Sequence, residues 1–218
     1  MTIDESGSKV EGGSGGRPFI LGLTGSIGMG KSAVALMMRA LGVPVFDADA
    51  AVHRLQAPGS ALLPAIEAEF PGTTGPEGVR RQDLGARVFG DSAALARLEA
   101  IMHPAVARLR EAFMIEHAHE PLVVFDIPLL FEKGHGKGSG QLLDAVAVVS
   151  APAEIQRERV LARPGMTREK FAQILALQVP DADKRARADH VIDTGVSLAE
   201  TEREVNDLVK ILREKNPR

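Results

Sequence analysis

The chain has 218 residues and no cysteine, and its formal net charge is −3 at pH 7. This length suits one α/β domain with an inserted lobe, because a single hydrophobic core can still grow at this size. The lack of cysteine excludes disulfides, thiolate catalysis and cysteine-ligated metals. The weakly acidic charge argues against a protein whose main partner is nucleic acid, because phosphate backbones select basic surfaces.

No segment of the sequence is typical of export or of membrane insertion. No apolar run approaches the roughly 18 to 20 residues that cross a bilayer. The polar, acidic N-terminus lacks the basic-then-apolar order of a secretory signal. We therefore expect a soluble cytoplasmic protein that does not bind membranes and is a monomer or a weak homo-oligomer.

The first segments predict a disordered tail followed by strand, loop and helix. Residues 1–16 are polar and glycine-rich, so they bury too little apolar surface to fold. Pro18–Leu23 is a short apolar run, and residues 31–41 have apolar side chains at helical spacing. A second apolar run, Val43–Phe46, predicts another strand. Breaks between the helical stretches that follow predict a helical insertion at about 50–118.

The second half of the sequence predicts further strands that alternate with helices. Leu122–Phe125 and Ala145–Val149 are short β-branched runs next to turn residues, which is typical of parallel strands. We expect a mobile loop at 134–140 and helices at 152–162 and 167–178. A last strand near Val191 precedes a helix that ends near residue 213. The alternation predicts an α/β fold of three layers around a parallel, doubly wound sheet within residues 17–213.

The most specific motif lies between the first strand and the first helix. It is a complete G-x-x-x-x-G-K-S phosphate-binding loop, or P-loop: Gly25, Ser26, Ile27, Gly28, Met29, Gly30, Lys31 and Ser32. Glycines allow backbone N–H groups to wrap closely around phosphate oxygens. Lys31 can reach the β- and γ-phosphates, and the Ser32 hydroxyl can bind Mg²⁺. We expect these residues and the adjacent Ala33 to contact ATP.

A phosphate-binding loop alone does not distinguish kinases from motors and switch GTPases. The chain has no Asn-Lys-x-Asp segment, and its only asparagines are Asn206 and Asn216. A guanine-reading GTPase is therefore disfavoured, and an ATP-using phosphotransferase is favoured. The possible classes include a kinase for a small metabolite or a nucleoside monophosphate, and a non-catalytic ATP-binding regulator.

Three aspartates follow predicted strands, at the sheet edge where doubly wound folds bind ligands. Asp49 is a candidate base for an acceptor hydroxyl, although Asp47 or Asp49 could equally be a helix N-cap. Asp126 is a candidate Mg²⁺ residue, although an aspartate at a strand end is also a common turn former.

Taken together, the motifs and their order resemble the dephospho-CoA kinase family. The resemblance extends over residues 18–213 and rests on these segments: 22–32, 47–49, His103-Pro104, 127–132, 157–163, 167–178 and 188–193. It implies a P-loop kinase that uses ATP and Mg²⁺ and phosphorylates the ribose 3′-hydroxyl of dephospho-CoA. It also implies that Lys31 and Ser32 contact phosphate and magnesium, that Asp49 is the base, and that Arg159 and Arg163 are lid arginines.

Some positions depart from the family pattern or allow a structural interpretation. Ser26, Met29, Ala33, His53 and Thr194 differ from the commonest family residues, and Thr194 stands where asparagine is usual. A neutral imidazole at His53 would be a weaker anion partner than arginine. His103 either contacts substrate or ends a helix before a new one starts at Pro104. Glu132 either binds substrate or, as is usual for a glutamate in a loop, is exposed at the surface. Arg157 and Arg168 either join the lid site or lie on a solvated helix face.

Overall fold

The computed structural model describes residues 17–132 and 143–217. The predicted tail at 1–16 and the predicted loop at 134–140 lie outside the described residues. Among the described residues, no helix is both long and apolar enough to cross a membrane.

Five parallel strands form the central sheet in the order β2-β5-β1-β6-β7. They are β1 (Phe19–Thr24), β2 (Val45–Asp47), β5 (Leu122–Asp126), β6 (Ala145–Ser150) and β7 (His190–Asp193). The central strand pairs on both sides, with Leu21 opposite Val124 in β5 and Ala145 in β6. These central strands are buried, which explains why β1, β5 and β6 are apolar except at their carboxyl ends.

A small antiparallel hairpin, β3 (Thr74–Gly75) and β4 (Gly78–Val79), lies outside this sheet. The sequence indicated only a break in this region. The described residues form these helices: α1 (Lys31–Ala40), α2 (Ala48–Leu55), α3 (Leu63–Glu69), α4 (Arg81–Val88), α5 (Ser92–Glu116), α6 (Ala153–Leu161), α7 (Arg168–Ala176), α8 (Asp181–Ala186) and α9 (Leu198–Glu214).

The helices cover both faces of the sheet, so the predicted three-layer α/β fold is confirmed. On one face, α1 and α9 pack against β1 and β6 through buried residues such as Val34, Met38 and Leu212. On the other face, Phe113 of α5 contacts Phe46 and Phe125 at ring distances of 5.5 and 6.2 Å. Each face thus has its own apolar layer, which is the usual arrangement of doubly wound sheets.

A third apolar cluster lies in the connection between β2 and β5. Its buried members are Ile66, Phe70, Leu84, Ala94 and Met102. The expected helix boundary at Pro104 is absent, because α5 continues through that residue. Pro104 lacks the N–H that an α-helix uses, but packing against α2, α3 and α4 holds α5 in place along its length.

Candidate active site

The phosphate loop connects the end of β1 to the start of α1, as the motif predicts. Gly28 and Gly30 have φ angles of 77° and 83°, a region that side chains with a Cβ rarely adopt. A Cβ at Gly25 would overlap Val149 Cγ2, and one at Gly28 would overlap Val160 Cγ2. The loop therefore lies directly against β6 and α6, and its glycines are needed for packing as well as for backbone conformation.

Lys31 is the first residue of α1, and its ammonium forms an ion pair with the Asp126 carboxylate at the end of β5. Asp126 is only 4% exposed. Burial raises the pKa of Asp126, while the adjacent Lys31 acts to lower it and the nearby Asp47 carboxylate raises it further. The pair links the phosphate loop to the neighbouring strand.

Asp47, the last residue of β2, and Asp49 have different roles at the start of α2. Asp47 is the N-cap of α2, where its Oδ1 accepts a hydrogen bond from the Ala50 N–H at 2.8 Å. Asp49 lies in the first turn of α2, is exposed, and faces the same cavity as the phosphate loop. The helix-cap interpretation therefore applies to Asp47, and Asp49 is left free to meet a ligand.

One open cavity of about 490 Å³ contains most of the predicted site. Its lining consists of Gly25, Ser26, Ile27, Gly28, Met29, Gly30, Lys31, Ser32, Ala33, Asp49, Pro128, Arg159, Arg163, Ile174 and Gln178. Asp126 is not part of this lining and lies behind Lys31. The other predicted site residues, although distant in sequence, thus meet at the carboxyl edge of the sheet.

Arg159 of α6 is attached to the residue that follows β7. Its Nη2 donates to the Thr194 carbonyl at 2.6 Å, and its Nη1 donates to the Thr194 hydroxyl at 3.3 Å. The same hydroxyl donates to the Met29 carbonyl in the phosphate loop at 2.8 Å. Thr194, which departs from the family pattern, therefore connects an arginine of the cavity to the loop backbone.

Two glutamines that sequence reasoning missed also contact the phosphate loop. Gln156 Nε2 donates to the Ile27 carbonyl at 2.8 Å. The Ile27 N–H donates to Gln178 Oε1 at 3.1 Å. No local signal could reveal these contacts, because an isolated glutamine gives no indication of a partner more than a hundred residues away.

Other sequence candidates have different surroundings. Among the described residues, His53, His103, Arg157 and Arg168 are exposed and lie outside the cavity lining. The expectation of an exposed Glu132 was wrong: its side chain is 9% exposed and lies 2.7 Å from the fully buried Lys184 ammonium. Glu132 Oε1 also accepts the Val179 N–H at 3.1 Å. Its role is to hold the connection between α7 and α8.

The donors around Lys31 are chemically suited to a magnesium ion. The Ser32 hydroxyl and the Asp126 carboxylate are hard oxygen donors, which Mg²⁺ prefers. The described residues contain no group of three or more His, Asp or Glu side chains that could form a metal site by themselves.

The central loop and the sheet that positions it place the protein among the P-loop kinases. A family model described as Dephospho-CoA kinase matches residues 19–200. The chain belongs to the dephospho-CoA kinase family, and it is a kinase.

Individual relatives agree with this assignment. A protein from Novosphingobium aromaticivorans named dephospho-CoA kinase is 80% identical over 202 residues, which cover 93% of this chain and 98% of the relative. Another of that name, from Mesorhizobium japonicum, is 56% identical over 89% of this chain and 97% of its own length. A crystal structure from Thermus thermophilus superposes with a TM-score of 0.77 at 36% identity, over 90% of this chain and 99% of the other.

Proposed function

We propose that the protein transfers the γ-phosphoryl group of ATP to the ribose 3′-hydroxyl of dephospho-CoA, with coenzyme A and ADP as products. Family membership supports both substrates. The observation that supports the reaction most directly is that Asp49, the phosphate loop, Arg159 and Arg163 line one cavity. The groups that bind the phosphate donor and the carboxylate that meets the acceptor hydroxyl thus line the same cavity.

The donor is bound by the loop and by cationic side chains. Backbone N–H groups of the phosphate loop, such as that of Gly28, contact the phosphates, helped by the positive end of α1. Lys31 neutralises charge on the β- and γ-phosphates, and Arg159 and Arg163 line the same cavity. Phosphoryl transfer needs mainly alignment and charge neutralisation, which these groups supply.

Asp49 orients the acceptor and receives its proton. The ribose 3′-hydroxyl donates a hydrogen bond to the Asp49 carboxylate, so its oxygen lone pair points at the γ-phosphorus. As the O–P bond forms, the bond to the ADP oxygen breaks, and the hydroxyl proton passes to Asp49. The exposed position of Asp49 within the cavity is consistent with this role.

Ser32 and Asp126 would hold Mg²⁺ together with the ATP phosphates. When bound, the ion supplies positive charge that offsets the charge on the transferring group. Lys31 keeps the Asp126 carboxylate directed toward the loop through their ion pair. Ser32 lies in the first turn of α1, next to the phosphates that the loop binds.

We further propose a substrate lobe at about 50–118 and a lid at about 152–180. The separate apolar cluster of Ile66, Phe70 and Leu84 supports a lobe with its own core. Arg159 and Arg163 lie in the second region, so the lid places positive charge beside the triphosphate and helps to exclude water from it. A cytoplasmic location, and a monomeric or weakly associated state, complete the proposal.

The test is coupled ADP release with purified protein, ATP and Mg²⁺. Dephospho-CoA is compared with AMP, with adenosine and with no acceptor, and the product is weighed by mass spectrometry. Turnover that depends on dephospho-CoA and gives a product heavier by one phosphate is the expected result. Turnover only with another acceptor would overturn the substrate assignment while retaining the kinase fold.

A further inference from the structure

We propose that Gln156 and Gln178 are positioning residues that hold the two peptide groups of Ile27 from opposite sides and so direct the Gly28 N–H toward the nucleotide phosphates. We name these two side chains and the Ile27 peptide groups the Ile27 clamp. The proposal deepens the proposed function and rests on it only for ATP as the ligand. It assigns a role to residues outside the phosphate-loop motif.

Gln156 fixes the peptide between Ile27 and Gly28. Its Nε2 donates to the Ile27 carbonyl at 2.8 Å, and its side chain is buried against the loop. In a planar trans peptide the carbonyl and the following N–H point in opposite directions. Because the Ile27 carbonyl points at α6, the Gly28 N–H must point away from α6. Only rotation of this peptide could turn that donor aside, and Gln156 opposes the rotation.

The packing of α6 removes the space into which the loop could otherwise relax. A Cβ at Gly28 would overlap Val160 Cγ2 and would lie 3.1 Å from the Gln156 carbonyl. The loop backbone therefore already touches the helix. Packing already sets the distance between the loop and α6. The Gln156 hydrogen bond therefore mainly fixes the direction in which the Ile27–Gly28 peptide group points.

Gln178 fixes the preceding peptide, between Ser26 and Ile27. Its Oε1 accepts the Ile27 N–H at 3.1 Å, and Gln178 is also part of the cavity lining. The Ile27 N–H is thus bonded to a side chain, and neighbouring loop donors such as Gly28 N–H remain for phosphate oxygens. Two successive peptide planes are held in this way.

The backbone at Gln178 is itself held firmly. The Gln178 N–H donates to the Leu175 carbonyl at 3.0 Å, and the next N–H, that of Val179, donates to Glu132 at 3.1 Å. Glu132 is paired with the buried Lys184 at 2.7 Å. Since both neighbouring N–H groups are bonded, the Gln178 side chain projects from a fixed point on the α7–α8 connection.

The carboxamide group suits this task better than a charged group would. Glutamine offers a donor and an acceptor without net charge. A carboxylate at either position would repel the triphosphate, and an ammonium would compete with the loop for it. Neutral groups that hold the loop therefore leave the charge balance of the site to Lys31 and the arginines.

The test uses the full chain with Gln156→Met and Gln178→Met, which nearly keep side-chain volume but remove the polar ends. Gln173→Met is the matched control, because Gln173 is exposed on α7. Without nucleotide, Gln178→Met should make the Ile27 amide exchange hydrogen about fivefold to tenfold faster, as expected for loss of one hydrogen bond. Each clamp variant should also lower kcat roughly tenfold to a hundredfold and weaken ATP binding measured without an acceptor.

The double variant distinguishes joint action of the two glutamines on one loop geometry from two independent contacts. If both glutamines act on one loop geometry, the double variant loses little more activity than the worse single variant. Losses that multiply, unchanged Ile27 exchange, or equal effects of Gln173→Met would overturn the proposal. Thermal melting shows whether the Gln156→Met variant is misfolded. If it is, the Gln178→Met variant provides the test, because Gln178 is less buried. Changed exchange and ATP binding without dephospho-CoA turnover would support the clamp and refute only the acceptor assignment.

Discussion

Lys31 and Asp126 form an ion pair where β1 and β5 end side by side, so the invariant lysine position of the motif is tied to the neighbouring strand. Asp126 is the more buried partner of the pair. Burial of Asp126 raises its pKa in spite of Lys31, so the charged carboxylate is less favourable in the folded chain than in water. Stability alone therefore does not account for a carboxylate at this position.

Replacing Asp126 with Asn should therefore leave the protein at least as stable as the unaltered chain near neutral pH. An acid whose pKa is raised by folding stabilises the fold below its unfolded pKa, here about 3.8. That contribution is lost as the pH rises through the raised folded value. Urea denaturation across this range should show the Asn variant gaining stability relative to the unaltered chain as pH increases. A relative loss would contradict the prediction.

Asp49→Asn should reduce kcat by about 10²- to 10⁴-fold, the range typical of a lost general base. The KM for ATP should change little, because asparagine adds no charge and leaves the phosphate loop intact. Steady-state kinetics with varied ATP and dephospho-CoA measure both quantities. Asp47→Asn is the control, since it retains an oxygen to cap α2. Equal losses in the two variants would argue against Asp49 as the base.

Thr194→Val should destabilise the fold by about 1–3 kcal/mol, because the Met29 carbonyl loses its hydroxyl partner in a buried setting. Arg159 Nη1 loses an acceptor as well. Denaturant unfolding gives the free energy of unfolding directly. Thr194→Ser retains the hydroxyl, so its free energy of unfolding should fall much less. If serine and valine variants were equally unstable, packing of the methyl group would be the cause instead.

Lys184→Met should destabilise the protein by about 3–5 kcal/mol, because it leaves the Glu132 carboxylate buried without its counter-ion. The double variant Lys184→Met with Glu132→Gln should recover much of this loss. Glutamine removes the charge and still offers an oxygen to the Val179 N–H. Chemical denaturation of the three variants tests the prediction, and a double variant less stable than Lys184→Met would contradict it.

Contiguous motifs and alternating patterns were sufficient to predict the sheet and the phosphate loop. Gly25–Ser32 has a fixed spacing, so its chemistry follows from adjacent residues. The roles of Asp47 and Asp49 could not be separated from sequence, because the start of α2 decides which of them caps the helix.

Contacts between distant segments were beyond sequence reasoning. Gln156 and Gln178 meet Ile27 only after α6 and α7 have folded back over the loop. The continuous helix through Pro104 depends on three packed neighbours, which a local rule about proline does not include.

The strand order has a consequence for how such a chain can diversify. The connection from β2 to β5 lies on one flank of β1, and the connection from β6 to β7 lies on the other. Insertions or deletions in the first connection would reshape the surroundings of Asp49 without altering the backbone that carries Arg159 and Arg163. Under the proposed function, acceptor choice and closure over the nucleotide can therefore evolve separately around an unchanged phosphate loop.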